Sequence, residues 1–145
     1  MKGLFEVASV EETWAIAARL ARELVPGDVV CLEGDLGAGK TTFVQGLAAA
    51  LGVPGRVTSP TFCLVQEHQS SDVLLVHMDL YRLDGEEGVE AIGWEDYLAR
   101  GAILAVEWPE RAGSLIPPSA RRVALRHAGE EKRLIAIDTQ GHFAV

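Results

Sequence analysis

The chain has 145 residues, of which 48% are hydrophobic and 23% charged, and its formal net charge is −8. This composition excludes an intrinsically disordered chain, and no apolar run reaches the roughly 20 residues that span a bilayer, which excludes a membrane-spanning protein. The length fits one domain over residues 1–145, and the acidic balance argues against a broad basic surface that holds DNA or RNA directly.

The first half of the chain predicts a helix, a buried strand and a second helix. Ser9 and Glu12 have the spacing of a capping box at a helix start. The apolar stripe that follows at helical spacing comprises Trp14, Ala17, Ala21 and Leu24. Residues 28–33 predict a strand that is apolar on both faces, and after a glycine-rich turn residues 41–51 predict a helix.

Two further apolar runs predict buried strands, and each is followed at once by an acid. The run over 73–78 precedes Asp79, and the run over 103–106 precedes Glu107. Both acids are therefore expected at the carboxyl ends of parallel strands, where α/β sheets bind ligands.

The remaining segments complete an α/β fold. Residues 86–100 predict a helix, either continuous or in two pieces around Gly93. Residues 122–126 and 133–138 predict an antiparallel hairpin. The expected architecture is a mostly parallel sheet flanked by helices, with the antiparallel hairpin at its C-terminal end.

The glycine-rich turn over 34–41 matches the phosphate-loop pattern GxxxxGK[ST], between a predicted strand and a predicted helix. Its glycines let successive N–H groups turn inward, and the helix N-terminus adds the positive end of its dipole. Lys40 supplies a charge for the β- and γ-phosphates, and the Thr41 hydroxyl can bind Mg²⁺. The predicted nucleotide-binding residues are Gly34, Asp35, Leu36, Gly37, Ala38, Gly39, Lys40, Thr41 and Thr42.

The nucleotide and its metal ion follow from other parts of the sequence. No Asn-Lys-x-Asp stretch for guanine recognition occurs after a later strand, which favours ATP over GTP. A Mg-dependent phosphoryl site needs a carboxylate near the phosphate loop. Asp79 and Glu107 both fit this position, and their spacing does not decide which acid holds the metal and which orients the attacking water or a mobile loop.

The stretch over 57–62, Val-Thr-Ser-Pro-Thr-Phe, follows the phosphate-loop helix. Its hydroxyls Thr58, Ser59 and Thr61 suit a switch loop that senses phosphate or Mg²⁺, and a plain turn that enters a strand is the alternative.

The cysteines and the N-terminal residues favour a cytoplasmic protein. Cys31 and Cys63 lie in apolar surroundings at no metal-binding or redox spacing, as expected of reduced core residues. Residues 1–6 are not followed by the apolar stretch of a secretory signal.

Four motifs in one order resemble the TsaE (YjeE) family, whose members take part in threonylcarbamoyladenosine modification of tRNA. They are Gly-Asp-Leu-Gly-Ala-Gly-Lys-Thr-Thr at 34–42, Thr-Ser-Pro-Thr at 58–61, His-Met-Asp-Leu-Tyr-Arg-Leu at 77–83 and Glu-Trp-Pro-Glu at 107–110. The resemblance implies a P-loop ATPase of low intrinsic activity. It also implies TsaB and TsaD as partners, with tRNA engaged only through that complex, and no contact with DNA or a membrane.

Residue roles are carried over from the family by position. The resemblance implies that Lys40, Asp79 and Glu107 are catalytic and that Thr41 and Glu107 hold Mg²⁺. It favours the switch interpretation of Thr58, Ser59 and Thr61. Nucleotide contacts are implied for Glu110, for Arg133 and for the stretch over 9–13, which would border the adenine.

Two other function classes compete with an ATPase. A small-molecule P-loop kinase would phosphorylate an acceptor, although 145 residues leave little room for a lid and an acceptor-binding segment. A binding module would use the nucleotide site as a switch without turnover.

Overall fold

A seven-stranded sheet with helices on both faces forms the fold in the computed structural model, which describes residues 1–35, 37–54, 57 and 64–138. The strands are β1 Gly3–Val7, β2 Val29–Gly34, β3 Val65–Gln69, β4 Leu74–Asp79, β5 Ile103–Glu107, β6 Arg121–His127 and β7 Arg133–Ile137. The helices are α1 Val10–Ala21, α2 Lys40–Ala50, α3 Glu86–Ala91 and α4 Trp94–Ala99. A 3-10 segment, Pro109–Leu115, follows β5.

The strand order is β1-β7-β6-β2-β5-β4-β3. The four central strands, β6, β2, β5 and β4, run parallel, which confirms the α/β class and the parallel core. The predicted hairpin is confirmed as the antiparallel pair β6 and β7. Two antiparallel edge strands, β1 beside β7 and β3 beside β4, were not among the predicted elements.

Alternate residues of the central strands face two separate cores. Val30 and Leu32 of β2 pack with α1 and α2, whereas Val29 and Cys31 pack with α3 and α4. This arrangement explains the unbroken apolar runs, because a parallel strand with helices on both faces has no polar side. The site-bearing strand ends are therefore anchored in a sheet that is buried from both sides.

Helix α1 differs in part from its prediction. Ser9 is the N-cap, with its Oγ accepting a hydrogen bond from the Glu12 amide at 3.1 Å, as predicted. The inward placement of Trp14 is wrong, because Trp14 is 41% exposed, whereas Thr13 and Leu20 are buried on the side of the helix that faces the core. The helix also ends at Ala21, before Leu24, the last residue of the predicted stripe.

The close packing of α1 on α2 explains why Trp14 is displaced outward. A Cβ added at Gly46 of α2 would lie 2.8 Å from Cβ of Ala17 and 3.0 Å from Cα of Trp14. The backbones thus approach too closely for the indole ring to fit between them, and the ring lies along the edge of the contact. Gly46 sets this separation.

The helical segment predicted over residues 86–100 is interrupted in the structure. Gly93, with a φ of 100°, separates α3 from α4, so the two-piece helix is confirmed. No helix in the part of the chain described is both long and apolar enough to cross a membrane.

Candidate functional site

The glycine-rich turn connects β2 directly to α2, as the motif requires. Gly34 ends β2 with a φ of 152°, and Gly37 and Gly39 have φ values of 79° and 107°. At Gly34 an added Cβ would lie 2.5 Å from the carbonyl oxygen of Leu125 on β6. The turn is therefore held against the sheet at a distance that only glycine allows.

Lys40, the first residue of α2, bends back over the turn. Its Nζ donates a hydrogen bond to the carbonyl oxygen of Gly34 at 2.7 Å and lies 3.5 Å from Oε1 of Glu107. The side chain is only 12% exposed, so its charge acts in a partly desolvated setting. The positive charge thus lies between the turn and the acid at the end of β5.

Glu107 is 5% exposed and is held by two basic groups. Oε2 accepts a hydrogen bond from Nε2 of His77 at 2.7 Å, while Oε1 faces Lys40. Burial alone raises the pKa of Glu107, but the hydrogen bond and attraction of His77, followed by the Lys40 ammonium, bring the pKa below its ordinary value. The site therefore presents Glu107 as a carboxylate.

Asp79 lies in register with Glu107 on the neighbouring parallel strand β4. It is 7% exposed, and its Oδ1 accepts a hydrogen bond from the Tyr81 amide at 3.0 Å. The backbone amide of Asp79 donates to the carbonyl of Leu64 at 2.8 Å. Both acids are thus fixed at one edge of the sheet, as the sequence predicts from their strand-end positions.

A cavity of about 600 Å³, the carboxylate-side cavity, joins the turn to the two acids. Its walls are Gly34, Asp35, Gly37, Gly39, Lys40, Thr41, Thr42, Asp79, Tyr81, Glu107 and Trp108. A second cavity of about 420 Å³, the α1-side cavity, lies on the other side of the same turn. It is lined by Val7, Ala8, Ser9, Val10, Thr13, Gly37, Gly39, Thr42, Glu130, Glu131 and Arg133.

An aromatic pair forms the outer wall of the carboxylate-side cavity. The rings of Tyr81 and Trp108 are 4.8 Å apart between centroids, and the side chains are 55% and 39% exposed. Trp108 has a φ of 58°, a left-handed conformation that turns the chain sharply after Glu107. The structure thus places Trp108 at the rim of this cavity.

Most predicted site residues come together around the two cavities. Ala38 is fully buried beneath the turn, and Arg133 lines the α1-side cavity with the stretch over 9–13. Glu110 is exposed on the 3-10 segment and lines neither cavity, so its nucleotide contact stays a prediction. The predicted residues outside the described part of the chain are Leu36, Thr58, Ser59 and Thr61.

His77 is a site residue that the sequence reasoning missed. The histidines show no ligand spacing, yet His77 is the polar member of the apolar run before Asp79 and shares its strand face. A histidine inside a strand that is buried on both faces was the signal available.

The oxygen atoms at the carboxylate-side cavity suit Mg²⁺. They belong to the Thr41 hydroxyl and to the carboxylates of Asp79 and Glu107. Within the described ranges, no group of three or more His, Cys, Asp or Glu residues could hold a metal ion by itself. Mg²⁺ matches this sparse set, because it commonly binds one or two carboxylates together with substrate phosphates.

Comparisons with known proteins agree on one family. The family described as "Threonylcarbamoyl adenosine biosynthesis protein TsaE" matches residues 7–135. A Bacillus subtilis protein named tRNA threonylcarbamoyladenosine biosynthesis protein TsaE is 39% identical over 132 residues, which cover 91% of this chain and 82% of the relative. An Aquifex aeolicus protein of the same name is 47% identical over 105 residues, which cover 71% of this chain and 74% of the relative.

The fold has a solved counterpart. A crystal structure of Bacillus subtilis YdiB superposes with a TM-score of 0.78 and 34% sequence identity. The superposition covers 94% of this chain and 84% of the other.

Proposed function

This chain belongs to the TsaE family, and from that membership we propose that it is a Mg-dependent ATPase of tRNA threonylcarbamoyladenosine biosynthesis. The observation that carries the ATPase proposal is the position of Lys40, 2.7 Å from the Gly34 carbonyl and 3.5 Å from Glu107. A lysine between a phosphate loop and a buried carboxylate suits phosphoryl transfer, since catalysis there depends on positioning and on charge stabilisation.

The carboxylate-side cavity would hold the triphosphate end of the nucleotide. The turn from Gly34 to Thr42 offers backbone N–H groups, and Lys40 offers a charge for the β- and γ-phosphates. Thr41 and Glu107 would hold Mg²⁺, which when bound neutralises charge on the phosphate oxygens. Asp79 would orient the attacking water from the neighbouring strand.

The α1-side cavity would hold the nucleoside. It adjoins the same turn through Gly37, Gly39 and Thr42, and Ser9, Thr13 and Arg133 supply polar groups along its walls. The proposal of ATP rather than GTP rests on the absence from the sequence of a guanine-recognition motif.

The proposed partners are the TsaB and TsaD proteins of the cytoplasm. The net charge of −8 supports the part of this proposal in which other proteins hold the tRNA, because an acidic chain repels the phosphates of tRNA. On this proposal the ATPase acts on the TsaB–TsaD complex, and the complex holds the tRNA and transfers the threonylcarbamoyl group.

Phosphate release from ATP, measured with and without Mg²⁺ and with and without TsaB–TsaD, tests the proposal. Lys40→Ala is expected to lower turnover by about 100-fold or more, because it removes a transition-state contact. Lys2→Ala removes the same charge from an exposed position and should match the wild type. Absence of turnover in every condition would refute the ATPase, and a phosphorylated small-molecule acceptor would identify a kinase.

A further inference from the structure

His77 lies inside β4, two residues before Asp79, and is completely buried. Its Nε2 donates to Oε2 of Glu107 at 2.7 Å, a short hydrogen bond to a charged acceptor. Its Nδ1 is also buried and has no hydrogen-bond partner among the residues that the structure describes. The hydrogen bond of this side chain is therefore the one to Glu107.

A purely structural role for His77 does not explain this geometry. Its neighbours along the strand, Val76 and Met78, are apolar and fully buried, so packing within the sheet does not by itself require a polar residue at 77. A buried nitrogen without a partner carries a free-energy cost, so the residue that bears it needs a compensating interaction. The compensating interaction here is the hydrogen bond to Glu107.

The two oxygens of Glu107 face different groups. Oε2 is held by His77 from within the sheet, which leaves Oε1 directed towards Lys40 and the carboxylate-side cavity. Without the bond from His77, the carboxylate could rotate, and Lys40 could draw either oxygen towards itself. A ligand that rotates freely binds a metal ion less tightly than one held by a second hydrogen bond.

We infer that His77 is a positioning residue that orients the Glu107 carboxylate for a divalent cation bound with the nucleotide. The inference rests on the proposed function, in which Glu107 serves Mg²⁺. His77 touches neither nucleotide nor metal on this account, and it acts only through Glu107.

The test compares two amides of different reach at position 77. His77→Gln can bring its Nε2 to the position of the imidazole nitrogen, whereas the side chain of His77→Asn is too short. His68→Asn is the matched control, because His68 is a nearly buried histidine on the adjacent strand β3. Its Nε2 likewise has no hydrogen-bond partner within the described part of the chain.

The main readout is Mn²⁺ affinity, measured by electron paramagnetic resonance with a non-hydrolysable ATP analogue. His77→Asn should weaken Mn²⁺ binding by about 10- to 100-fold, while analogue binding without metal stays unchanged. His77→Gln should recover most of the loss, and His68→Asn should match the wild type. The kcat for ATP should fall in parallel with Mn²⁺ affinity.

Several outcomes would overturn the inference. Wild-type Mn²⁺ affinity in folded His77→Asn would do so, as would an equal loss in His68→Asn, which would indicate general damage to the sheet. If His77→Asn does not fold by circular dichroism, His77→Leu replaces it and is read in the same way. A wild type that binds Mn²⁺ and analogue but never hydrolyses ATP refutes only the proposed ATPase, and a wild type that binds neither refutes both.

Discussion

Asp79 and Glu107 are register partners at the ends of two adjacent parallel strands, yet they accept hydrogen bonds from different kinds of donor. Glu107 accepts from the imidazole of His77 and faces the ammonium of Lys40. Asp79 accepts from the backbone amide of Tyr81. The structure thus separates two acids that the sequence leaves equivalent.

The different partners allow the role of Asp79 to be tested apart from its structural contact. Asp79→Asn keeps an oxygen that can accept from the Tyr81 amide, so its melting temperature should stay near that of the wild type. Turnover should fall by about 100-fold, since the charge is lost. Asp79→Ala should lose the same activity and about 1 kcal/mol of stability besides, because the amide loses its acceptor.

Steady-state phosphate release and thermal unfolding measure both effects. Full turnover in Asp79→Asn would assign the chemistry to Glu107 alone.

Gly34 should be intolerant of a side chain. In Gly34→Ala the new Cβ would meet the Leu125 carbonyl oxygen at 2.5 Å, on a backbone with φ of 152°. Gly52→Ala is the control, since Gly52 also has a positive φ, 73°, but no atom of the described residues lies within 4 Å of an added Cβ. In urea unfolding, Gly34→Ala should lose about 1–3 kcal/mol more stability than Gly52→Ala. Gly34→Ala should also bind nucleotide less tightly. Equal losses would show that backbone conformation, rather than contact with β6, decides the requirement.

Glu23 should make stability depend on pH and salt. Its carboxylate accepts a hydrogen bond from the Met1 ammonium at 2.7 Å and one from Arg121 at 3.0 Å, and these bonds lower the pKa of Glu23 below its usual 4.5. A lowered folded-state pKa stabilises the fold above the usual value and loses that contribution as the pH falls through the folded-state pKa.

Glu23→Gln should therefore melt at a lower temperature than the wild type near pH 7, and the difference should vanish near about pH 3 or in about 1 M salt. Glu90→Gln, another exposed acid, should show no such pattern. A difference that survives acid would assign the effect to packing instead of charge.

Cys31 should be inert in the native protein. It is fully buried, and burial raises the pKa of its thiol from 9.0 to about 11. Since the thiolate is the reactive form, iodoacetamide at about pH 8 should not modify Cys31 in the native protein but should label it in denaturant. Peptide mapping measures the extent of labelling. Native labelling would mean that β2 opens readily.

The central strands were predictable because burial on both faces leaves an unbroken apolar run, as in Leu74–Asp79 and Ile103–Glu107. The edge strands β1 and β3 were not, since only one face of each meets the core and β3 reads Val-Gln-Glu-His-Gln. Such a strand forms because its neighbour completes the hydrogen bonds, and local sequence carries little of that information.

The site was also predictable only in part. Its loop is a contiguous motif, and the two acids follow recognisable strands. The pairing of His77 with Glu107 depends on the register of β4 against β5, in which His77 lies beside Ala105. Residues 30 positions apart cannot be matched in this way from one sequence.

The close packing of α1 against α2 at Gly46 affects how the two cavity walls can move. Helix α2 carries Lys40 and Thr41 at its start, and the N-terminus of α1 borders the other cavity through Ser9. Because the two helix backbones are in close contact, we expect the two walls to move together. We therefore expect any closure around a ligand to involve Tyr81 and Trp108, the exposed side chains on the other side of the carboxylate-side cavity.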